Sequence, residues 1–277
     1  MKMTHTATNL RRGHGPDAPR PEAWADCQIG PPEADPVQVR VYGSLTPGAL
    51  ALLWVHGGSW IRGSVEQWNP ALMSLASRIR GVVIGVRYRL APEAHHPAPV
   101  LDVIAAVNAV RHVIGPEAPL VLGGDSAGGT LAASASLQRP DQINGQVLAY
   151  PPFDPQCATA SFDDHAGEFP SRHQLVHAWA AYAGHPPQTS PVPLTPLAYS
   201  NLSASPPVSM MVGLLDPVRG DVMRYATRLR IDGVSVRLHQ SELIRHGDFL
   251  RPPVEGQQPV HDWIAAETNH YFNQGAQ

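Results

Sequence analysis

The sequence is poor in cysteine, lacks a long apolar run and carries no marked excess of one charge. Its two cysteines, Cys27 and Cys157, cannot build a disulfide framework, and we expect both to be free thiols. The 20 basic residues nearly balance the 23 acidic ones, which argues against nucleic acid as a partner. The longest apolar stretch, residues 49–55, is far too short to cross a bilayer.

The N-terminal region also lacks the pattern of a secretory signal. Its basic residues Lys2, Arg11 and Arg12 are not followed by an apolar segment. We therefore expect a cytoplasmic protein that does not bind membranes. With 43% hydrophobic residues, a chain of 277 residues has enough apolar material for the core of one globular domain.

Apolar, strand-like runs alternate along the chain with helical patterns. Because this alternation is typical of a doubly wound, mostly parallel sheet, we predict an α/β fold. Strands are predicted over residues 37–42, 50–55, 82–86, 120–123, 145–150, 208–214 and 234–238. Helices are predicted over residues 70–79, 98–114, 129–138, 172–183, 218–231 and 258–272.

The most informative segment is the pentad 124–128, which reads Gly-Asp-Ser-Ala-Gly. It follows the apolar run 120–123 and precedes a small-residue stretch with a helical pattern. Strand, sharp turn and helix in this order place a serine in a strained backbone conformation, with its hydroxyl exposed at the sheet edge. The helix directs free N–H groups and its positive dipole end at an oxyanion formed there. Ser126 is therefore a candidate nucleophile.

A second segment, residues 56–60, reads His-Gly-Gly-Ser-Trp and follows a predicted strand. Consecutive glycines let successive backbone N–H groups converge on one point, where they stabilise the negative oxygen of a tetrahedral intermediate. We expect Gly58 and Ser59 to donate such N–H groups. Ala127, which follows the candidate nucleophile, is expected to add a third.

These two motifs resemble those of the hormone-sensitive-lipase-type esterase family of the α/β-hydrolase superfamily. In that family the loop reads His-Gly-Gly-Gly-Trp or a close variant, and the elbow reads Gly-Asp-Ser-Ala-Gly-Gly. A third family motif, Tyr-Arg-Leu-Ala-Pro-Glu, lies between them at residues 88–93. The resemblance extends over about residues 37–272. It implies an α/β-hydrolase fold and serine esterase chemistry, which needs no metal or organic cofactor.

In this superfamily the catalytic residues follow the order serine, acid and histidine, so the acid and base lie after Ser126. Asp216 follows the apolar run 208–215 and precedes a proline suited to open a helix. His246 lies on a predicted loop after the strand 234–238, where a base reaches back over the sheet edge. We therefore predict a catalytic triad of these three residues.

Other residues compete for the roles of acid and base. Asp216 is also well suited to be a plain helix cap, and Asp221 is the nearest rival acid. His239 lies closer to the strand end than His246. His261 belongs to the predicted C-terminal helix, where a packing role is expected.

The remaining candidates concern metal and substrate. His173 and His177 stand four residues apart on a predicted helix, but they lack the glutamate of the metalloprotease motif, so no metal site is expected. Trp60 and Trp68 are predicted to line the substrate pocket, with ordinary packing as an equal alternative.

Three positions depart from the family pattern. Ser59 replaces the third glycine of the loop, which keeps the backbone N–H group but narrows the loop. Arg87 stands where the family has an aspartate, so we expect a rearranged local ion pair. Asp248 follows His246 closely, and we expect its carboxylate to raise the affinity of that base for a proton.

In the resembling family a helical cap is assembled from the N-terminal segment and an insertion. Here residues 1–36 form an N-terminal segment that we expect to be irregular and part of the cap. The catalytic domain is predicted over residues 37–277, with the insertion at about 151–205. Because this insertion contains one clear predicted helix, 172–183, we expect a reduced cap over an open, shallow acyl pocket.

Together the motifs predict a serine carboxylic ester hydrolase that acts on small-molecule esters. Ser126 is expected to attack the ester as His246 takes its proton, and water activated by His246 then hydrolyses the acyl-enzyme. The small cap favours short acyl chains. Two alternatives stay open: an arylformamidase-like amide hydrolase, and a catalytically silent ligand-binding protein of the same fold. A homo-oligomer is compatible with the sequence.

Overall fold

The computed structural model describes residues 24–185, 189–252 and 259–274, which form one eight-stranded sheet and its covering helices. The strands are β1 (Trp24–Ile29), β2 (Val37–Tyr42), β3 (Ala51–Val55), β4 (Val82–Val86), β5 (Leu120–Asp125), β6 (Gly145–Ala149), β7 (Val208–Gly213) and β8 (Val236–Ser241). The α-helices are α1 (Val65–Ala76), α2 (Ala98–Ile114), α3 (Ala127–Gln138), α4 (Ser161–Asp164), α5 (Arg172–Ala183), α6 (Arg219–Ile231) and α7 (Pro259–Gln274).

The strands lie in the order β1-β2-β4-β3-β5-β6-β7-β8. The pairs β1–β2 and β2–β4 are antiparallel, and every pair from β4 to β8 is parallel. The prediction of a mostly parallel, doubly wound α/β sheet is therefore confirmed. Because parallel strands end at the same edge, the loops after β3, β5, β7 and β8 meet there.

The five central strands are buried along their whole length. Every residue of β3, β4, β5, β6 and β7 is buried, which requires cover on both faces of the sheet. Helices α1 and α7 contact each other, as do α2 and α3, and α6 packs on β7 and β8. Burial on both faces explains why these strands read as continuous apolar runs.

Strand β1 corrects the prediction of an irregular N-terminal segment. Residues 24–29 pair antiparallel with β2, whereas residues 1–23 lie outside the described part of the chain. The strand is only partly buried, and its anchor comes from the neighbouring strand. The guanidinium of Arg40 lies 3.7 Å from the ring centre of Trp24 and donates to the carboxylate of Asp26 at 2.8 Å. Local periodicity does not reveal such contacts between strands.

Arg87, which departs from the family pattern, finds its partners near β1 and β2. Its guanidinium forms ion pairs with Asp26 at 2.8 Å and with Glu66 at 2.6 Å. Arg40, whose side chain is 5% exposed, pairs with the same two acids. These four charges connect β1, β2, α1 and the residue that follows β4. The sequence alone offered no partner for Arg87.

Helix α1 also differs from its predicted bounds. The sequence predicts a helix over residues 70–79. The helix instead begins at Val65, where the hydroxyl of Ser64 accepts a hydrogen bond from the N–H of Gln67 at 3.3 Å. Pro70 lies inside the helix, which therefore lacks one internal hydrogen bond.

The insertion between β6 and β7 contains the short helix α4 and the longer helix α5. The helix predicted over residues 172–183 coincides with α5, which begins with a capping box of Ser171 and Gln174. Trp179 and Tyr182 on its buried face pack against the ring of Trp60, at centroid distances of 4.2 and 5.0 Å. The insertion is therefore joined to the loop that follows β3.

Two further sequence expectations concern the cysteines and membranes. Cys27 and Cys157 are both free, as predicted, and burial raises the pKa of the Cys157 thiol to about 12. Among the described residues, no helix has the length and apolar character needed to cross a membrane.

Candidate active site

Ser126 lies at the sharp turn between β5 and α3. Its backbone has φ 51° and ψ −124°, a conformation that non-glycine residues rarely adopt. The turn is held on both sides, because the N–H of Ser126 donates to Ala149 O at 2.9 Å and its carbonyl accepts from the N–H of Thr130. The strained serine predicted from the pentad is therefore present in the structure.

Glycine is required in this turn because α3 begins very close to the end of β3. A Cβ atom on Gly128 would lie 2.1 Å from the carbonyl oxygen of Val55. One on Gly124 would lie 2.6 Å from the backbone of Gly128. Both distances are far below any real contact, so the two glycines permit the close approach that positions the serine.

The structure brings together the three residues predicted as a triad. The Oγ atom of Ser126 lies 2.9 Å from Nε2 of His246. The other ring nitrogen, Nδ1, lies 3.0 Å from Oδ2 and 3.2 Å from Oδ1 of Asp216. Asp216 is buried, at 1% exposure, so its carboxylate needs hydrogen-bond donors. It finds them in His246 Nδ1 and in the backbone N–H of Val218.

Asp216 also contacts the backbone that leads into α6, although the N-cap of that helix is Val218 and not Asp216. Its Oδ1 atom accepts a hydrogen bond from the N–H of Val218 at 3.0 Å, just before α6 begins. The rival acid, Asp221, is fully buried elsewhere. It accepts hydrogen bonds from the N–H groups of Phe153 and Asp154 and from the hydroxyl of Thr159, and burial raises its pKa to about 6.

The loop that carries His246 is anchored through Phe249, three residues further on. The N–H of Phe249 donates to the hydroxyl of Tyr150 at 2.9 Å, and its carbonyl contacts Nε2 of His261 at 2.8 Å. Its ring stacks on Trp54 with a centroid distance of 4.8 Å. Tyr150 also contacts the imidazole of His246 directly, at a centroid distance of 4.8 Å. Distant side chains therefore set the position of the base.

His261 has a more specific role than the packing role predicted for it. A carbonyl oxygen can only accept, so Nε2 carries the proton, and Nδ1 accepts from the hydroxyl of Ser74 at 2.9 Å. Burial lowers the pKa of His261 to about 4, which keeps the ring neutral. The competing histidine, His239, stacks on Trp263 with a centroid distance of 6.1 Å, whereas Ser126 Oγ contacts His246.

The loop after β3 curls through three successive residues of positive φ: Gly58 at 112°, Ser59 at 58° and Trp60 at 61°. The carbonyl of Gly58 accepts from the N–H groups of Ile61 and Arg62, which closes the turn. Among the described residues, none accepts a hydrogen bond from the N–H groups of Gly58, Ser59 or Ala127. These three groups are therefore available to a ligand.

Asp125, the second residue of the pentad, joins the elbow to this loop. Its buried Oδ1 atom accepts from the N–H of Gly57 at 3.2 Å and from the indole nitrogens of Trp54 and Trp68 at 3.0 and 2.9 Å. Burial raises the pKa of Asp125 to about 6. Sequence reasoning missed this role. The available signal was a charged residue at the end of a fully apolar strand, since a buried carboxylate requires donors.

The structure places both predicted substrate-contacting tryptophans in the interior. Trp60 has no exposed surface and packs against α5, and Trp68 is 5% exposed and bonded to Asp125. Their contact with substrate stays a prediction. Asp248 accepts from the N–H of Arg245 at 2.8 Å and pairs with Arg251 at 2.9 Å, and its expected effect on the base stays a prediction. Within the described ranges, no hydrogen bond joins it to His246.

Within the described part of the chain, no three His, Cys, Asp or Glu side chains are grouped as metal ligands. The arrangement of Ser126, His246 and Asp216 offers instead a hydroxyl, a base and an orienting carboxylate in line. Beside them lie the free N–H groups of the curled loop and of the start of α3. Such a site is suited to attack on a carbonyl carbon.

Comparison with known proteins agrees with this chemistry. A family model described as alpha/beta hydrolase fold matches residues 52–250. Esterase LipI of Mycobacterium tuberculosis is 32% identical over 232 residues, which cover 77% of this chain and 71% of LipI. Ethyl acetate hydrolase of Pseudomonas putida is 29% identical over 248 residues, covering 84% of this chain and 78% of that protein.

Solved structures give the same result. The crystal structure of esterase LipW from Mycobacterium marinum aligns with a TM-score of 0.78 at 29% identity, and the alignment covers 90% of this chain and 82% of LipW. The chain therefore belongs to the hormone-sensitive-lipase-like esterase family of the α/β-hydrolase fold, and it is an enzyme of the serine hydrolase class.

Proposed function

We propose that this protein is a carboxylesterase that cleaves short-chain acyl esters through an acyl-enzyme on Ser126. The observation that carries the proposal is the unbroken line of contacts from Ser126 Oγ to His246 Nε2 and from His246 Nδ1 to Asp216. This contact also argues against the silent ligand-binding alternative, in which the histidine would be displaced from the serine.

In the first half of the reaction, Ser126 Oγ attacks the ester carbonyl carbon while Nε2 of His246 takes the hydroxyl proton. The Nδ1–H of His246 donates a hydrogen bond to the carboxylate of Asp216, which stabilises the imidazolium that forms. The tetrahedral intermediate then collapses, the bond to the alcohol oxygen breaks, and Nε2 delivers its proton to that oxygen. The alcohol leaves and the acyl group stays on Ser126.

In the second half, His246 removes a proton from a water molecule that attacks the acyl carbonyl. Collapse of this intermediate breaks the bond to Ser126 Oγ, which receives the proton back from Nε2. The carboxylic acid leaves, and the free serine is restored. Each proton that His246 accepts is returned within the same half-reaction, so no cofactor is needed.

The negative oxygen of both intermediates is assigned to the N–H groups of Gly58, Ser59 and Ala127. Loss of one such donor typically lowers kcat by about a hundredfold to a thousandfold. The serine side chain at position 59 leaves its N–H group unchanged. Asp125 supports the assignment, because its hydrogen bond to Gly57 N at 3.2 Å keeps the loop beside the elbow.

Two observations support a preference for short acyl chains. The insertion at 151–205, which we propose to be a reduced cap, has α5 as its one described helix longer than a single turn. A relative that spans 84% of this chain is named for hydrolysis of ethyl acetate. We therefore infer a small acyl pocket beside Ser126.

The test is hydrolysis of nitrophenyl esters, from acetyl to dodecanoyl, by the wild-type chain and by Ser126→Ala. We expect acetyl and butyryl esters to react fastest, and we expect the variant to lose this activity. Ester cleavage that persists in Ser126→Ala would contradict the mechanism, and a maximum at dodecanoyl would contradict the small pocket. Cleavage of an aryl formamide without any ester cleavage would favour the amide hydrolase alternative.

A further inference from the structure

Phe169 is an exposed aromatic residue beside the proposed catalytic base. It belongs to the insertion, between α4 and α5, and its residue surface is 47% exposed. Its ring meets the imidazole of His246 edge-on, with a centroid distance of 5.6 Å and an interplanar angle of 71°. The other ring on this imidazole, that of Tyr150, is completely buried. Phe169 is therefore the accessible one of these two aromatic contacts.

The reaction itself decides which part of an ester would meet this ring. The carbonyl oxygen is drawn toward the N–H groups of Gly58, Ser59 and Ala127. The alcohol oxygen must lie within hydrogen-bond reach of His246 Nε2, because that atom delivers the proton on departure. The acyl group takes the remaining direction. A side chain that packs against the imidazole is thus a neighbour of the alcohol portion, not of the acyl chain.

We propose that Phe169 is a specificity-determining residue that contacts the alcohol portion of the substrate and favours aromatic or bulky apolar alcohols. This inference rests on the proposed function. The ring offers an exposed apolar surface, and an aromatic group on the departing alcohol is able to pack against it in place of water. The preferred substrates are therefore esters of a small acid with an arylalkyl or similar apolar alcohol.

The test compares an ester without an aromatic ring, ethyl acetate, with two esters that carry one. Benzyl acetate has the ring on the alcohol, and ethyl phenylacetate has it on the acid. In Phe169→Ala we expect the ratio of kcat/KM for benzyl acetate over ethyl acetate to fall about fivefold, the loss of one aromatic contact. The ratio for ethyl phenylacetate over ethyl acetate should change less than about twofold. Phe169→Tyr keeps the ring and should keep the wild-type ratios.

Val176→Ala is the matched control, because Val176 lies on α5 of the same insertion and is 40% exposed. This variant should leave all three ratios as in the wild type, and thermal unfolding of each variant verifies that it is folded. An equal fall for ethyl phenylacetate, or unchanged ratios in Phe169→Ala, would overturn the assignment of Phe169 alone. Absence of ester turnover in the wild-type chain would overturn the proposed function, and with it this inference.

Discussion

Ser126 and His246 lie 2.9 Å apart but are held by different means. The serine is positioned by backbone: the strained turn, the hydrogen bond to Ala149 O and the glycines that allow α3 to approach β3. The histidine is positioned by side chains from other parts of the chain. Its loop is held at Phe249 by the hydroxyl of Tyr150, which is 99 residues away in sequence.

The two residues thus differ in how far along the chain their structural support lies. The elbow needs small residues at fixed spacing, so its structure is encoded in a few consecutive letters. The histidine loop needs the phenol of Tyr150 just after β6, a neutral imidazole from α7 and an indole from β3, which only the folded chain assembles. The two halves of the site should therefore respond differently to substitution.

The largest expected effect comes from Asp216→Asn, which tests whether the acid acts on the histidine beyond its hydrogen bond with the N–H of Val218. Asparagine still accepts from the N–H of Val218, so the thermal midpoint should stay near that of the wild type. It no longer stabilises the imidazolium, and we expect kcat to fall about 10⁴-fold. Steady-state kinetics and thermal unfolding together check this. A fall in stability with kcat retained would mean that the backbone contact to Val218 is its main role.

Gly128→Ala tests the claim that close backbone approach builds the elbow. The added methyl group would lie 2.1 Å from Val55 O, and backbone cannot move aside as a flexible side chain does. We expect the free energy of unfolding to fall by about 3 kcal/mol or more, as in overpacked cores, with loss of activity.

Gly167→Ala is the matched control for this change. A methyl group there would meet no atom within 4 Å, so its stability should stay within about 0.5 kcal/mol of the wild type. Urea unfolding of both variants gives the comparison. Equal stability of the two variants would show that the elbow tolerates a side chain at Gly128.

His261, which holds the histidine loop at Phe249, should make the stability of the protein depend on pH. Its pKa is about 4 in the folded state against an ordinary value of 6.5, because burial disfavours the charged ring. The folded protein therefore binds fewer protons than the unfolded chain between these pH values. The resulting stability is fully present above pH 6.5 and is lost as the pH falls to 4, by roughly 3 kcal/mol.

Urea unfolding of the wild type and of His261→Gln over this pH range isolates the effect. His56, whose pKa burial also lowers to about 4, titrates in both proteins and cancels in the difference. Asp125 and Asp221, with pKa values raised to about 6, act in the opposite direction and cancel too. Parallel stability curves for the two proteins would contradict the neutral, buried state of His261.

The smallest effect is expected for Tyr150→Phe, which removes one hydrogen bond from the histidine loop. The buried N–H of Phe249 loses its acceptor, which costs about 1–2 kcal/mol of stability. Because Tyr150 positions the base, kcat should fall by roughly tenfold with little change in KM.

Tyr225→Phe provides the control, since the hydroxyl of Tyr225 is buried and has no hydrogen-bond partner among the described residues. Removing that hydroxyl should leave both stability and kcat close to the wild-type values. If Tyr150→Phe behaved in the same way, the tyrosine would not position His246.

Several features could be predicted because a few neighbouring residues determine them. The elbow, the glycine loop and five buried strands each carry a local pattern, and the superfamily order then led to Asp216 and His246. The predicted bounds of α1 were wrong because the helix begins at a cap on Ser64 and continues through Pro70, a residue that rarely lies inside a helix. Strand β1 was missed because its anchors, Arg40 among them, lie on another strand.

The fold class, the family and the residues that meet at the sheet edge could therefore be inferred from the amino-acid sequence, since backbone conformation and burial leave short periodic signals. The contacts that hold those residues in place could be identified only in the folded chain. Asp125 under the glycine loop, Tyr150 and His261 on the histidine loop, and Phe169 beside the imidazole act through contacts between distant segments. Such contacts depend on where the folded chain brings side chains together, and no local spacing encodes that.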